Sequence, residues 1–137
     1  QPCRPFVAPF DVRLPKPAQS DEQTDTVVQP DITVVCDPAK LDRRGVRGAP
    51  DLVVEVLSPS TAGHDQVPKR RIYERAGVRE FWLVHPNDRV LTIYRLGADG
   101  YSKPDLQELS GSTPVAVLNG IEIVWDELVA RLPRVAY

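Results

Sequence analysis

The amino-acid sequence predicts an α/β fold in which a mixed central β-sheet is flanked by helices. Residues 51 to 84 have the pattern strand, helix, strand, and such a β-α-β unit implies a parallel pair of strands with a right-handed crossover. The strands at 31 to 36 and 51 to 57 follow one another across a short basic connection, so we expect them to be antiparallel neighbours. A sheet that contains both kinds of pair, with helices packed on it, is an α/β architecture.

The bulk composition is that of one globular domain. The chain has 137 residues, of which 42% are hydrophobic and 26% are charged, and these are ordinary values for a globular protein. No apolar stretch reaches the roughly 18 residues that a membrane span requires, and the proline-rich start does not resemble a signal peptide. We therefore expect a cytoplasmic protein without a membrane partner. The lack of methionine, even at position 1, indicates a fragment or a processed chain.

Within this single domain, residues 1 to 30 are predicted to form an N-terminal strand and loop, 31 to 97 the core that carries the candidate site, and 98 to 137 a C-terminal extension. The strand of the first segment is expected at 10 to 14, where apolar and polar residues alternate. The extension is expected to contain short strands and a final helical turn. The two cysteines, Cys3 and Cys36, lie in unlike settings without zinc-type spacing, so both are predicted to be free thiols.

Three stretches define the centre of the fold. VVQPDITVVCD (27 to 37) predicts a strand that Asp31 opens, with Asp31 and Thr33 on one face. The connector at 38 to 50 has two glycines, two prolines and four basic residues, which is typical of an exposed loop. DLVVEVLS (51 to 58) is a nearly continuous apolar run, and such a run predicts a strand that is buried on both faces.

A helix is predicted from about Gln66 to Ala76. Asp65 is placed to cap its start, Pro68 is tolerated in its first turn, and Gly77 suits its C-terminal end. The signals at both ends agree.

Two more strands are predicted after the helix, near 79 to 84 and 90 to 95, joined by the turn residues PND. The segments WLVHP and IEIVWDEL offer more apolar surface than a small monomer needs to expose. We therefore expect a homodimer or a larger assembly with these segments at the contact.

Two carboxylates are predicted to meet on one face of the sheet. Glu55 has apolar neighbours on both sides, and a carboxylate buried there must be paired, hydrogen-bonded or bound to a metal. With an antiparallel neighbour, Asp31 would share its face at roughly 5 to 8 Å. Carboxylates at that spacing can hold Mg²⁺ or Mn²⁺. Two alternatives stay open: Glu55 could point to water from an edge strand, and the weaker candidate Asp51 could simply start its strand.

A lysine is predicted to join these carboxylates from the helix. Lys69, Ile72, Tyr73 and Ala76 recur at i, i+3, i+4 and i+7, so Lys69 lies on the stripe that faces the sheet. Its ammonium could meet Glu55 and stabilise an anionic transition state. The alternative is a lysine whose stem packs on the sheet while its charge reaches water.

Several separated blocks together resemble a known family. PDITVVCDPAKLDRRGVRGAPDLVVEVLSPST is followed by an aspartate, a lysine four residues later, a tyrosine four after that, and AGVREFWLVHP. Over residues 9 to 97 the chain resembles the Uma-type restriction endonuclease family of the PD-(D/E)XK nuclease superfamily. The resemblance implies a restriction-endonuclease-like fold and metal-dependent hydrolysis of DNA, with Asp31 and Glu55 as metal ligands. It also implies that Lys69 replaces the lysine expected two residues after the glutamate, where this chain has Leu57.

The family pattern includes an N-terminal segment with a helix and an acidic residue ahead of FDVRL, and this segment is not in the sequence. Contacts with DNA are predicted for Arg43 and Arg44 of the connector and for Arg70 and Arg71 on the solvent side of the helix. The alternative is that these arginines are merely solvated, since the net charge of -2 shows no basic excess.

Two rival functions remain. One is a non-catalytic nucleic-acid-binding or assembly module that keeps the nuclease fold, because a fold does not guarantee an activity. The other is a glycoside hydrolase, which is disfavoured because that chemistry gives Lys69 no necessary role. His64 and His85 have no partner at metal-ligand spacing and are interpreted as structural.

Overall fold

Thirteen strands and one α-helix make up the part of the chain that the computed structural model describes, which is residues 3–20, 22–57, 66–116, 118 and 120–126, without the side chains of 66 and 67. The helix is α1 (Gln66–Ala76), and a 3₁₀ turn covers Pro38–Lys40. The strands are β1 (Arg4–Val7), β2 (Val12–Arg13), β3 (Val27–Val28), β4 (Ile32–Val35), β5 (Leu41–Asp42), β6 (Gly45–Arg47), β7 (Leu52–Val56), β8 (Glu80–His85), β9 (Val90–Gly97), β10 (Gly100–Tyr101), β11 (Asp105–Glu108), β12 (Ser112–Pro114) and β13 (Glu122–Val124).

The main sheet has seven strands in the order β1-β4-β7-β8-β9-β10, with β11 also paired to β9. β7 and β8 are parallel, as the strand, helix, strand pattern predicts. β4 and β7 are antiparallel neighbours, which the short connection between them predicts. The predicted mixed central sheet is therefore confirmed.

The two faces of the main sheet are covered by different structures. On one face, α1 and a small sheet of order β3-β2-β6-β5 share a core that includes Val12, Val46, Val53 and Tyr73. On the other face, the segment around the β12-β13 hairpin contributes Trp125, which is buried close to Trp82. Within the described ranges a single helix thus flanks the sheet where several were expected. The small sheet covers part of one face, where its strands bury Val12 and Val46 in the core.

The connector between β4 and β7 is not the exposed loop that its glycines and prolines suggest. It contains β5 and β6, and β6 lies parallel to β2 with Val46 fully buried. Gly45 has a φ of +128°, and a Cβ at this position would collide with the carbonyl oxygen of Asp11. Glycine is needed here because two pieces of backbone approach closely. Glycine, which usually indicates a loop in a sequence, here allows two strands to pair.

Cys3 and Cys36 form a disulfide, so the prediction of two free thiols is wrong. Cys3 precedes β1, which is an edge strand of the main sheet. This strand was not predicted because the segment is rich in proline, although proline is tolerated at a sheet edge. β1 pairs with β4 in an antiparallel register that sets Arg4 opposite Val35. One step further along this register, Cys3 meets Cys36. A disulfide is more usual in oxidising compartments, which weighs against the expected cytoplasmic location.

Reduction of this disulfide is expected to lower the free energy of unfolding. The two cysteines are 33 residues apart, and closing a loop of that size in the unfolded chain contributes about 2 to 4 kcal/mol. In urea titrations, the Cys3→Ser/Cys36→Ser double variant and the reduced wild type should unfold at the same, lower midpoint. A wild-type midpoint that does not respond to reductant would show that the bond does not form.

The helix α1 has the bounds that the sequence predicts. The residue after its last turn is Gly77, which has a φ of +91°. The N–H of Val78 donates to the carbonyl oxygen of Tyr73 at 3.0 Å and the N–H of Gly77 donates to that of Glu74 at 3.2 Å, which is a helix end of the Schellman type. The expected cap Asp65 and His64 lie outside the described residues. Of the expected final helical turn, Trp125 and Asp126 are helical, and the residues that follow them lie outside the described part of the chain.

Most of the apolar surface assigned to a dimer contact lies inside the fold. Trp82, Leu83 and Val84 of the WLVHP segment are buried in β8, and Trp125 is also buried. Exposed apolar side chains remain near the C-terminal hairpin, at Ile121 and Val124. The oligomeric state therefore stays a prediction with a weaker motive. Among the described helical residues, none forms a segment long and apolar enough to cross a membrane.

Candidate active site

Glu55 lies in the middle of the main sheet and is almost completely buried. Its strand β7 has β4 on one side and β8 on the other, so the edge-strand alternative is excluded. The residue retains only 5% exposure. Along β7, Val53 packs in the core on the helix side, whereas Leu52 and Val54 pack in the core on the opposite side. The predicted alternation is therefore correct, and Glu55 faces α1.

Two side chains of α1 meet one oxygen of Glu55. The hydroxyl of Tyr73 donates a hydrogen bond to Oε2 at 2.8 Å, and Lys69 Nζ lies 3.3 Å from the same oxygen. Lys69 and Tyr73 are four residues apart, so they occupy successive turns on one face of the helix. The ion pair expected between Lys69 and Glu55 is present. The role of Tyr73 was missed, because its apolar ring explained its place on the buried stripe, yet a buried tyrosine hydroxyl usually finds a partner.

Burial raises the pKa of the Glu55 carboxyl, because its charged form loses solvation. The hydrogen bond from Tyr73 and the charge of Lys69 oppose this effect, while the negative charge of Asp31 adds to it. Burial also raises the pKa of the Tyr73 phenol, and the charge of Glu55 raises it further. Tyr73 consequently keeps its proton and acts as the donor to Glu55.

Asp31 lies immediately before β4, on the same face as Glu55. The register pairs Ile32 with Val54, and the next step places Asp31 directly opposite Glu55. The sequence placed Asp31 one diagonal step away, so the shared face was predicted and the closer pairing was not. Asp31 Oδ2 accepts a hydrogen bond of 2.6 Å from the backbone N–H of Val56. The strand that carries Glu55 thus also holds Asp31.

The two carboxylates are a donor set that suits a hard divalent cation. Asp31 uses Oδ2 and Glu55 uses Oε2 for their contacts, so Oδ1 and Oε1 accept no hydrogen bond from the described residues. Mg²⁺ prefers oxygen ligands and keeps several waters, so two carboxylates on one face are sufficient. In the described ranges, no group of three or more His, Cys, Asp or Glu side chains could hold a metal.

Two other acidic side chains have structural partners. Asp51, the weaker metal candidate, accepts a hydrogen bond of 2.8 Å from the backbone N–H of Cys36 and pairs with Arg79 at 3.2 Å. Glu80 is buried in β8, where its Oε1 accepts a hydrogen bond of 3.1 Å from Trp82 Nε1 on the face opposite the site. Arg95 Nε lies 3.7 Å from that oxygen. Burial of a carboxylate in this sheet is therefore not by itself a mark of the site.

His85 ends β8 with its ring Nε2 3.3 Å from the Thr92 hydroxyl. Burial lowers the pKa of this imidazole, with a smaller opposing effect from the charge of Asp88. A neutral, hydrogen-bonded ring agrees with the structural interpretation of His85.

Of the four arginines predicted to contact DNA, three are exposed: Arg43, Arg44 and Arg71. Arg43 and Arg44 line a shallow depression that also includes Gln29, two residues before Asp31. Arg70 differs, because it is half-buried and its guanidinium lies 5.7 Å from the centre of the Tyr94 ring. Arg70 is therefore only partly on the solvent side as predicted, because its guanidinium lies over the Tyr94 ring of β9.

A family model, a curated protein and a solved structure match this chain. The family model described as "Uma2: Putative restriction endonuclease" matches residues 1–126. "Uncharacterized protein slr1290" of Synechocystis sp. is 38% identical over 74 residues, which are 52% of this chain and 38% of that protein. The chain therefore matches less than half the length of this curated relative.

A solved structure, "Crystal structure of a putative nuclease belonging to DUF820" from Anabaena variabilis, has a similar fold. The TM-score is 0.68 with 18% sequence identity, and the match covers 93% of this chain and 68% of that one. At this identity the likeness concerns the fold, which is the restriction-endonuclease-like fold expected from the sequence.

Proposed function

Since this chain belongs to the Uma2 family, described as "Putative restriction endonuclease", we propose that it hydrolyses DNA phosphodiester bonds as an Mg²⁺- or Mn²⁺-dependent endonuclease. The observation that carries the proposal is the convergence of Asp31, Glu55 and Lys69 on one face of the main sheet. Glu55 contacts Lys69 at 3.3 Å, and the strand register sets Asp31 opposite Glu55.

The two acids have the role of metal ligands. Asp31 and Glu55 each leave one oxygen without a hydrogen bond from the described residues, and these two oxygens would hold the cation. A cation bound there would supply Lewis-acid stabilisation of the phosphate and a water of lowered pKa. Burial of Glu55 keeps the site at low dielectric, where each electrostatic contact is stronger than in water.

Lys69 has the role of stabilising the anionic transition state. Its side chain is 34% exposed while that of Glu55 is 6% exposed, so the ammonium lies between the buried carboxylate and the solvent from which DNA approaches. From this position Lys69 can contact a phosphate oxygen while Glu55 fixes its orientation. A preorganised charge of this kind lowers the barrier without reorganising during the reaction.

DNA is the proposed partner, and Arg43, Arg44 and Arg71 are its proposed phosphate contacts because they are exposed. Cleavage of both strands requires two sites, so we also propose a homodimer. The cytoplasm remains the proposed location, although the disulfide between Cys3 and Cys36 weighs against it.

The test of the function is nicking of supercoiled plasmid by the purified full-length protein. Nicked and linear products should form with Mg²⁺ or Mn²⁺ and should disappear when EDTA removes the cation, because the cation stabilises the transition state. Gel shifts with the same DNA in EDTA measure binding separately. A protein that binds DNA equally well with and without metal, and never cleaves it, would instead be the non-catalytic binding module.

A further inference from the structure

Tyr73 is a buried polar side chain to which the proposed chemistry assigns no role so far. It is fully buried, and its ring packs against Phe81 with 4.8 Å between the ring centres. This packing fixes the ring, so the direction of the hydroxyl is set by the core of the protein. The hydroxyl is directed at Glu55 Oε2, 2.8 Å away.

The contacts of Glu55 are unevenly divided between its two oxygens. Tyr73 and Lys69 both contact Oε2, and Oε1 accepts no hydrogen bond from the described residues. The Lys69 side chain is about one third exposed, so its ammonium is shared between Glu55 and the solvent side of the site. Tyr73 is the rigid one of the two partners. The orientation of Glu55 therefore depends on Tyr73 more than on Lys69.

We propose that Tyr73 is a positioning residue for the metal site, which holds Glu55 by Oε2 and thereby presents Oε1 to the divalent cation. This inference rests on the proposed function, and it adds a partner that orients a metal ligand. Asp31 has the equivalent arrangement, since the N–H of Val56 holds Oδ2 and Oδ1 would be available to the cation. Partners that orient metal ligands in this way usually matter for affinity almost as much as the ligands.

The test variant is Tyr73→Phe, which removes one hydroxyl and keeps the ring that packs on Phe81. Its Mn²⁺ affinity, measured by calorimetry on the full-length protein, should fall by about 10- to 100-fold. The Mn²⁺ concentration for half-maximal cleavage should rise by the same factor, while KM for DNA stays unchanged. A role in packing alone would not produce this combination.

The matched control is Tyr101→Phe. Tyr101 also loses a hydroxyl that donates a hydrogen bond of 2.8 Å, but its acceptor is the backbone oxygen of Val78. This variant should bind Mn²⁺ like the wild type. For every variant, the rise in melting temperature on adding Mn²⁺ is measured against its own metal-free value, so reduced stability does not hide the result.

The outcomes separate this inference from the function on which it rests. If Tyr73→Phe binds Mn²⁺ as tightly as Tyr101→Phe, Tyr73 has no positioning role and the proposed nuclease is unaffected. If the wild type itself neither binds Mn²⁺ nor cleaves DNA, the nuclease proposal fails and the role of Tyr73 falls with it.

Discussion

Replacing Glu55 with glutamine is expected to reduce DNA cleavage by at least about 1000-fold, as is common when a central catalytic group is lost. Glutamine has almost the same shape and still offers an oxygen to Tyr73, so the packing between β7 and α1 should survive. It removes the negative charge that the proposed cation requires. Plasmid nicking in Mg²⁺ and in Mn²⁺ measures the loss.

The stability of Glu55→Gln provides an internal check. Burial raises the pKa of Glu55, which means that the charged form is disfavoured in the folded protein. A neutral side chain removes that unfavourable effect, so the melting temperature should not fall. The matched control is Glu80→Gln, since Glu80 is equally buried but lies on the opposite face of the sheet. If Glu55→Gln and Glu80→Gln lose cleavage equally, Glu55 has no special role and the catalytic acids lie elsewhere.

Replacing Lys69 with methionine is expected to reduce cleavage by about 100-fold or more, in line with the loss of one preorganised stabilising group. Methionine keeps most of the apolar stem and removes the ammonium that lies 3.3 Å from Glu55 Oε2. The fold should survive, because Tyr73 still donates its hydrogen bond to the same oxygen. Single-turnover cleavage under saturating metal measures the chemical step.

The control for Lys69→Met is Arg75→Met on the same helix. Arg75 is exposed, so this substitution changes the net charge equally and removes no contact with the site. Its cleavage rate should be close to that of the wild type. If Lys69→Met cleaves as fast as the wild type while Glu55→Gln is inactive, Lys69 has no catalytic role. Its apolar stem then only packs on the sheet, with its ammonium in solvent.

Local periodicity was sufficient to predict the centre of the fold. Alternation identified β4 and a nearly continuous apolar run identified β7. Asp31 and Glu55 were assigned to one face because neighbouring side chains of a strand point to opposite sides. A repeat of 3.6 residues identified α1 and directed Lys69 at the sheet. Gly77 fixed the helix end, since its positive φ is easily adopted by glycine. These features depend only on residues that are close to one another in the chain.

Which segments become neighbours was decided by the tertiary structure. From the sequence, Cys3 and Cys36 were predicted to be two free thiols. Only the pairing of β1 with β4 brings them together. From the sequence, Tyr73 was assigned to the apolar stripe of the helix. Only the packing of α1 on β7 directs its hydroxyl to Glu55.

The register of the sheet had the same effect on the site. Alternation predicts that Asp31 and Glu55 share a face, but the pairing of Ile32 with Val54 sets them directly opposite one another. Residues far apart in the chain are brought into contact by the packing of the whole sheet, and a pattern of near neighbours in the sequence contains no information about that distance. The sequence by itself therefore determined which residues could form the site, and the tertiary structure decided which of their atoms meet.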